Sequence, residues 1–198
     1  APVLLEEALR ALQVRPEGTY IDATFGRGGH SARILAELGP QGRLLAFDRD
    51  ADAVSVGRER FGADPRFAIV HASFSSLLAE IGERGLGGRI DGLLLDLGVS
   101  SPQLDEAERG FSFTLDGPLD MRMNPTAGIT AADLLERESA QELAAIIRRF
   151  GEERHANAIA RAIKREQERE PITTTGRLAA LIEKTIGPQA RKYKIHPA

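Results

Sequence analysis

The run Asp22-Ala23-Thr24-Phe25-Gly26-Arg27-Gly28-Gly29-His30-Ser31 concentrates residues able to do chemistry. It follows a β-rich stretch and opens a helical pattern. Its glycines let backbone come close to a ligand, and the helix start offers free N–H groups. Asp48 stands 20 residues past Gly28, the spacing at which an acid closing the next strand accepts hydrogen bonds from ribose hydroxyls. Together these features read as a site for a nucleotide-like cofactor. A further acid, Asp96, ends another apolar run and opens Asp96-Leu97-Gly98-Val99-Ser100-Ser101-Pro102-Gln103. A carboxylate there emerges at the carboxyl edge of a sheet, beside the cofactor crevice, where catalytic groups belong. The plainer reading of Asp96 is a helix cap or an ion-pair partner for Arg109 or Arg122.

A dinucleotide fingerprint counted from Gly26 calls for glycine or alanine at position 31, which holds Ser31, and for a second mononucleotide-binding half. S-adenosylmethionine asks for less: a glycine turn, an acid for the ribose and an apolar wall for the adenine. Phe74, in Val70-His71-Ala72-Ser73-Phe74, offers that wall, with a core aromatic as its alternative role. A nicotinamide is the runner-up cofactor.

The elements that must position these groups alternate. β-rich runs lie at 19–23, 43–48, 67–71 and 90–96, with helical patterns at 3–12, 29–38, 50–60 and 74–84. That alternation predicts an α/β fold of βαβ units with a largely parallel sheet. Residues 98–128, rich in Gly, Ser, Pro and Asp, read as a long loop of the kind that carries function. From Thr130 the pattern is helical, at 130–136, 139–150, 152–169 and 174–186, the last opened by the capping cluster Thr173-Thr174-Thr175.

The charge changes sign along the chain. Residues 1–136 hold 13 basic against 21 acidic side chains, and 137–198 hold 13 against 8. Read as one helix, 152–169 aligns Arg154, Arg161 and Arg165 on one face, with Arg148, Arg149, Lys164, Arg169, Arg191, Lys192 and Lys194 nearby. Such a stripe suits phosphates. The competing reading is a solvated face balanced by Glu152, Glu153, Glu166 and Glu168.

With 198 residues, 42% apolar and 28% charged, the composition is that of a packed globular protein of one to two domains. No apolar run reaches the ~18 residues of a membrane span, and the first residues lack a secretory pattern, so the expected compartment is the cytoplasm. The absence of cysteine excludes disulfides, thiolate metal sites, iron–sulfur clusters and cysteine nucleophiles from these residues. His71, His155 and His196 share no ligand spacing, and no catalytic metal is expected. Lys194-Ile195-His196-Pro197-Ala198 forms no cap or closing strand, so the chain is expected to stop short of a native C-terminus.

The sequence resembles the ribosomal RNA small-subunit methyltransferase H family. The resemblance is carried by Pro2-Val3-Leu4-Leu5-Glu6, by the glycine run 22–31, and by Asp96 to Asp105. It continues through Arg109-Gly110-Phe111-Ser112-Phe113, Pro118-Leu119-Asp120-Met121-Arg122-Met123, Phe150-Gly151-Glu152-Glu153-Arg154 and Ile195-His196-Pro197-Ala198. It implies a Rossmann-like class I S-adenosylmethionine-dependent methyltransferase fold with an inserted all-helical domain. The methyltransferase core would take 1–107, its C-terminal strands missing, and the loop and helical substrate-recognition insert 108–198. It implies N4-methylation of a cytidine in the decoding centre of 16S rRNA, free or within the small ribosomal subunit. The implied cofactor contacts are Gly28, Gly29, His30, Asp48, Phe74, Asp96 and Gln103, and the implied RNA contacts Arg154, Arg161 and Arg165. A homodimer is compatible with this.

Methylating an exocyclic cytosine amine requires its delocalised lone pair to be localised. An acceptor within about 3 Å of the amine N–H does so and stabilises the charge developing on nitrogen. Asp96 is the expected acceptor, with backbone carbonyls of 97–102 as the alternative. Phe111 or Phe113 could stack the target base. Lack of cysteine disfavours C5 methylation through a covalent adduct. Two other readings stay open: an NAD(P)-dependent oxidoreductase and a non-catalytic RNA-binding module.

Overall fold

The computed structural model describes residues 2–187. The chain divides into two compact units, Ala1–Ser100 and Ser101–Ala198.

The first unit is α/β. Its elements are α1 (Leu5–Leu12), β1 (Thr19–Asp22), α2 (Gly29–Glu37), β2 (Arg43–Asp48), α3 (Ala51–Phe61), β3 (Phe67–His71), α4 (Leu77–Glu83) and β4 (Gly92–Leu94). The strands form one parallel sheet in the order β3-β2-β1-β4, the Rossmann-like order in which the chain steps outward from β1 and then returns to its other side. The reversal lies between β1 and β4. A crevice therefore opens at their carboxyl ends, where Asp22 is in register with Ala46 and with Leu94.

The central strand β2 is buried from Leu44 to Phe47, the continuous apolar run of a strand covered on both faces. Leu44 and Ala46 pack with Leu9, Phe25, Ile34 and Phe67 on the face covered by α1, α2 and α3. Leu45 and Phe47 pack with Ile21 and Ala23, against which Leu77 and Ile81 of α4 lean.

Two predicted elements differ. The strand expected over 90–96 spans only Gly92–Leu94. Beyond Leu94 the backbone leaves the ladder, because the Asp96 N–H donates to the Thr24 hydroxyl at 2.7 Å instead of to a strand. The helix expected over 74–84 begins as a 3-10 turn, Phe74–Ser76, and becomes α-helical at Leu77.

The second unit is helical: α5 (Ser101–Asp105), α6 (Ala131–Arg137), α7 (Ala140–Gly151), α8 (Ala156–Gln167) and α9 (Thr175–Ile186). Its core gathers Leu119, Leu135, Leu143, Ile159, Ile163 and Ile172 among others. Most of 98–128 is irregular as expected, though it contains α5 and a 3-10 turn, Ala107–Arg109. The stretch is fastened: the Leu119 N–H donates to Thr173 O at 2.8 Å, and the Thr175 N–H to Gly117 O at 3.0 Å.

The single helix expected over 152–169 is shorter. α7 ends with Glu152 in the left-handed region (φ 52°), and the Glu153 carboxylate accepts the His155 N–H at 2.5 Å, so α8 starts at Ala156. Arg154 thus precedes the helix and shares no helical face with Arg161 and Arg165. Among the described residues no helix is long and apolar enough to cross a membrane.

Candidate functional site

The loop between β1 and α2 is organised by a buried acid. Asp22, wholly buried at the end of β1, accepts the Ser31 hydroxyl at 2.7 Å and the Thr24 N–H at 3.2 Å. One carboxylate thereby ties together the strand end, the loop and the first turn of α2. Thr24 in turn receives the Asp96 N–H, which fixes the segment after β4 to the same loop. Burial pushes the Asp22 carboxyl up from its ordinary value, and the Ser31 and Thr24 hydrogen bonds oppose that shift without cancelling it.

Asp48 closes β2 and braces the loop from the other side. Its Oδ2 accepts the Gly26 N–H at 2.7 Å and its Oδ1 the Asp50 N–H at 2.9 Å. The Arg49 N–H also donates to it, and as an ionised carboxylate has about four acceptor positions, about one is left for a ligand hydroxyl. Desolvation raises its affinity for a proton, and the hydrogen bonds from Asp50 and Gly26 work against that.

The glycines serve different ends. Gly26 has φ +56°, and a Cβ there would meet nothing within 4 Å, so its backbone borders open space. Gly28 (φ +73°) is held by packing: a Cβ would lie 2.5 Å from the Phe25 ring and 2.9 Å from that of Phe61. A Cβ on Gly29 would collide with Pro2. Of the three, Gly26 gives a ligand access to the loop, while Gly28 and Gly29 let the loop close on the aromatic cluster and the N-terminal segment.

His30, in the first turn of α2, is buried. Its Nε2 lies 3.2 Å from Val3 O. A carbonyl only accepts, so Nε2 carries the hydrogen. Nδ1 is then turned toward Asp96, whose Oδ2 is 4.0 Å away. The Asp96 side chain is 47% exposed, so the acid stands at the crevice with its backbone anchored and its carboxylate accessible. Phe74 follows β3 and is 48% exposed, which removes the core-aromatic alternative.

The structure thus brings Gly28, Gly29, His30, Asp48 and Asp96 to one sheet edge, with Phe74 after the neighbouring strand. Gln103 lies in α5 of the other unit, where it is buried. Reasoning from sequence did not single out Asp22 and Thr24. Their signal was an acid closing a strand of otherwise apolar character, two residues before a threonine and nine before a serine. Among the described residues no group of His, Asp and Glu could hold a metal ion, and His196 lies outside them.

In the helical unit Arg161 and Arg165 are exposed on α8, and Arg154 is exposed ahead of it. Lys164 is committed elsewhere: its Nζ lies 3.0 Å from both Leu135 O and Glu136 O, capping the C-terminus of α6. Arg191, Lys192 and Lys194 lie outside the described residues.

The residues at the crevice suit S-adenosylmethionine better than a dinucleotide. Asp48 has an acceptor position to spare, Gly26 borders open space, and Phe74 presents a free face. Ser31, where a dinucleotide fold wants glycine or alanine, is buried with its hydroxyl bound to Asp22. The chain is 54% identical over 196 residues to the ribosomal RNA small subunit methyltransferase H of Alteromonas mediterranea, covering 99% of this chain and 62% of that protein. It thus spans less than two thirds of that relative's length. A solved structure of an rRNA methylase from Streptococcus thermophilus aligns over 40% of this chain and 48% of its own, at 22% identity and a TM-score of 0.33. The family match covers residues 1–198 without a break, through glycine loop, Asp96 segment and helical unit alike, and the chain belongs to the MraW methylase family.

Proposed function

We propose that this chain is the cofactor-binding and RNA-engaging part of an S-adenosylmethionine-dependent methyltransferase that N4-methylates a cytidine of 16S rRNA, acting on the small ribosomal subunit or its RNA in the cytoplasm. The observation that carries the reading is the loop between β1 and α2: Asp48 braces it through Gly26 with acceptor capacity left over, in a chain of a methylase family. In this reading the sheet and its flanking helices are a class I methyltransferase core, and the helices after residue 107 serve substrate recognition.

Asp48 would hold a ribose hydroxyl, the backbone around Gly26, Gly28 and Gly29 the amino-acid part, and Phe74 the adenine. Gln103 completes the contact set implied by the family. When bound, the cofactor supplies an electrophilic methyl on a sulfonium. Asp96 accepts a hydrogen bond from the target amine, which localises the nitrogen lone pair and balances the charge that develops there. His30, held in the first turn of α2 with its Nε2 tied to Val3 O, belongs to the same cofactor contact set. Arg154, Arg161 and Arg165 engage RNA phosphates.

Titration calorimetry with S-adenosylmethionine and, in parallel, NADH tests the reading. Binding of the sulfonium ligand alone is expected, and binding of NADH alone would replace it with the oxidoreductase. Asp48→Ala removes a hydrogen-bonding partner worth about 1 to 3 kcal/mol, so affinity should fall roughly 5- to 150-fold. Transfer of a labelled methyl group to small-subunit RNA, with the product nucleoside identified by mass spectrometry, decides the position. Methylcytidine modified anywhere but on N4 would overturn that part.

A further inference from the structure

The helical unit contains a feature that the cofactor crevice does not account for. A groove of about 470 Å³ runs between α8 and α9. Ala158 and Ala162, one turn apart on α8, and Leu181 of α9 give it an apolar lining. Its rims carry Arg161, Arg165 and Arg169 from the α8 side and Lys184 from α9. Among the described residues these four side chains form no ion pair and no hydrogen bond.

The groove contains one carboxylate, Glu166, and the fold disposes of it. The Arg177 Nη2 sits 2.9 Å from Glu166 Oε1 and 2.9 Å from Glu170 Oε2, while Nη1 donates to Pro171 O at 3.1 Å. The Arg177 hydrogen bond holds the Glu166 carboxyl below its ordinary range, with Arg169 and Lys184 adding to the effect. Glu166 makes its ion pair with Arg177 of α9 and none with an arginine of α8, so Arg161 and Arg165 line the groove without a direct acidic partner.

Spacing then selects the ligand. Arg169 follows in the turn just past the end of α8, and Arg161 and Arg165 are four residues apart on that helix, about 6 Å along the axis at about 1.5 Å per residue. This matches the separation of successive phosphates in an RNA strand, and a guanidinium fork is suited to each. A chain of net charge −3 that gathers four unpaired cations in one trough is built for a linear polyanion.

We infer that the α8/α9 groove is a binding track for an RNA phosphodiester backbone, with Arg161, Arg165, Arg169 and Lys184 as its phosphate contacts. The choice of RNA among polyanions rests on the proposed rRNA methyltransferase function. Arg169 and Lys184 are its new members. Arg177 is a positioning residue that keeps Glu166 from competing with phosphate.

The test measures anisotropy of a labelled oligouridylate of about 20 nucleotides bound to the chain as it stands, over about 50 to 500 mM KCl. Oligouridylate has little structure, so its binding reads the backbone. Arg165→Gln, Arg169→Gln and Lys184→Gln together should lower the slope of log K against log salt by ~2, and affinity at 0.1 M salt by ~100-fold. Arg165→Lys with Arg169→Lys, which preserves charge, should keep the slope. So should Arg58→Gln, Arg84→Gln and Arg89→Gln together, which remove equal charge from the other unit. An unchanged slope in the groove variant, an equal fall in the control, or failure of the wild-type chain to bind the oligomer overturns the inference. Equal binding of poly-L-glutamate, lost in the same variant, also overturns it, by showing a general anion surface. Calorimetry with S-adenosylmethionine on the same preparations separates the two readings. RNA binding that tracks the groove without cofactor binding leaves the groove standing and removes the methyltransferase, and the reverse result does the opposite.

Discussion

Asp22 shows how much of the loop's order rests on one buried carboxylate. Its carboxylate is wholly buried, and the Ser31 hydroxyl and Thr24 N–H compensate only part of the desolvation. The folded state therefore holds the Asp22 proton to higher pH than the unfolded chain, whose ordinary value is 3.8. Stability from this group is in full below that value and is lost as pH rises through the raised folded value. In Asp22→Asn the amide can donate to Ser31, whose hydroxyl turns acceptor, and its oxygen still takes the Thr24 N–H, but no charge forms. Urea denaturation of both proteins from about pH 4 to about pH 8 should show wild type losing stability relative to the variant as pH rises. A constant difference, or one of opposite sign, would show that burial does not dominate at Asp22. The place of Asp48 at the end of β2 was legible in the sequence because it follows from a distance along the chain, 20 residues from Gly28. Asp22 was not, because its role depends on Ser31, which meets it only after α2 has folded back on the strand.

At the scale of elements, patterning located the strands and helices well wherever burial alone decides. β2 spans Arg43–Asp48 as its apolar run predicts, since a strand covered on both faces has no competing arrangement. Patterning failed where a polar group captures a backbone N–H. Thr24 takes that of Asp96 and shortens β4, and Glu153 takes that of His155 and delays α8. Both residues are compatible with the element they end, so composition gave no warning. Caps with reciprocal partners are easier to read. Ser139 opens α7 in a capping box: its hydroxyl accepts the Glu142 N–H at 3.2 Å, and the Glu142 carboxylate accepts the Ser139 N–H at 3.0 Å. Ser139→Ala should destabilise the helical unit by about 1 kcal/mol, and Ser139→Gly by only a few tenths, because glycine leaves the first N–H groups open to water. Thermal and urea unfolding followed by circular dichroism would check this. Equal losses in both variants would mean that the hydroxyl is held for a reason other than the cap.

The whole molecule is two folds in sequence, each with its own buried cluster: the two faces of the sheet in the first unit, and the packing of α6 to α9 in the second. The change from alternating to purely helical patterning after Thr130 is what suggested two parts in the sequence, with a boundary expected after residue 107. The division at Ser100 was harder to see, because the irregular stretch behind it has few apolar residues and is fastened by backbone bonds to the Thr173–Thr175 cap, which no periodicity encodes. Separate cores carry a consequence for stability. Ile163 is fully buried at the centre of the helical cluster, and Ile163→Ala leaves a cavity that costs roughly 2 to 5 kcal/mol. That loss should fall on the second unit alone. Native-state hydrogen exchange is expected to show amides of α7, α8 and α9 opening faster by the corresponding factor. Amides of β1 and β2, whose protection comes from the sheet, should keep their rates. If protection in β2 falls by the same factor as in α8, the two clusters unfold as one cooperative body, and a change in the helical unit would then weaken the cofactor site without touching it.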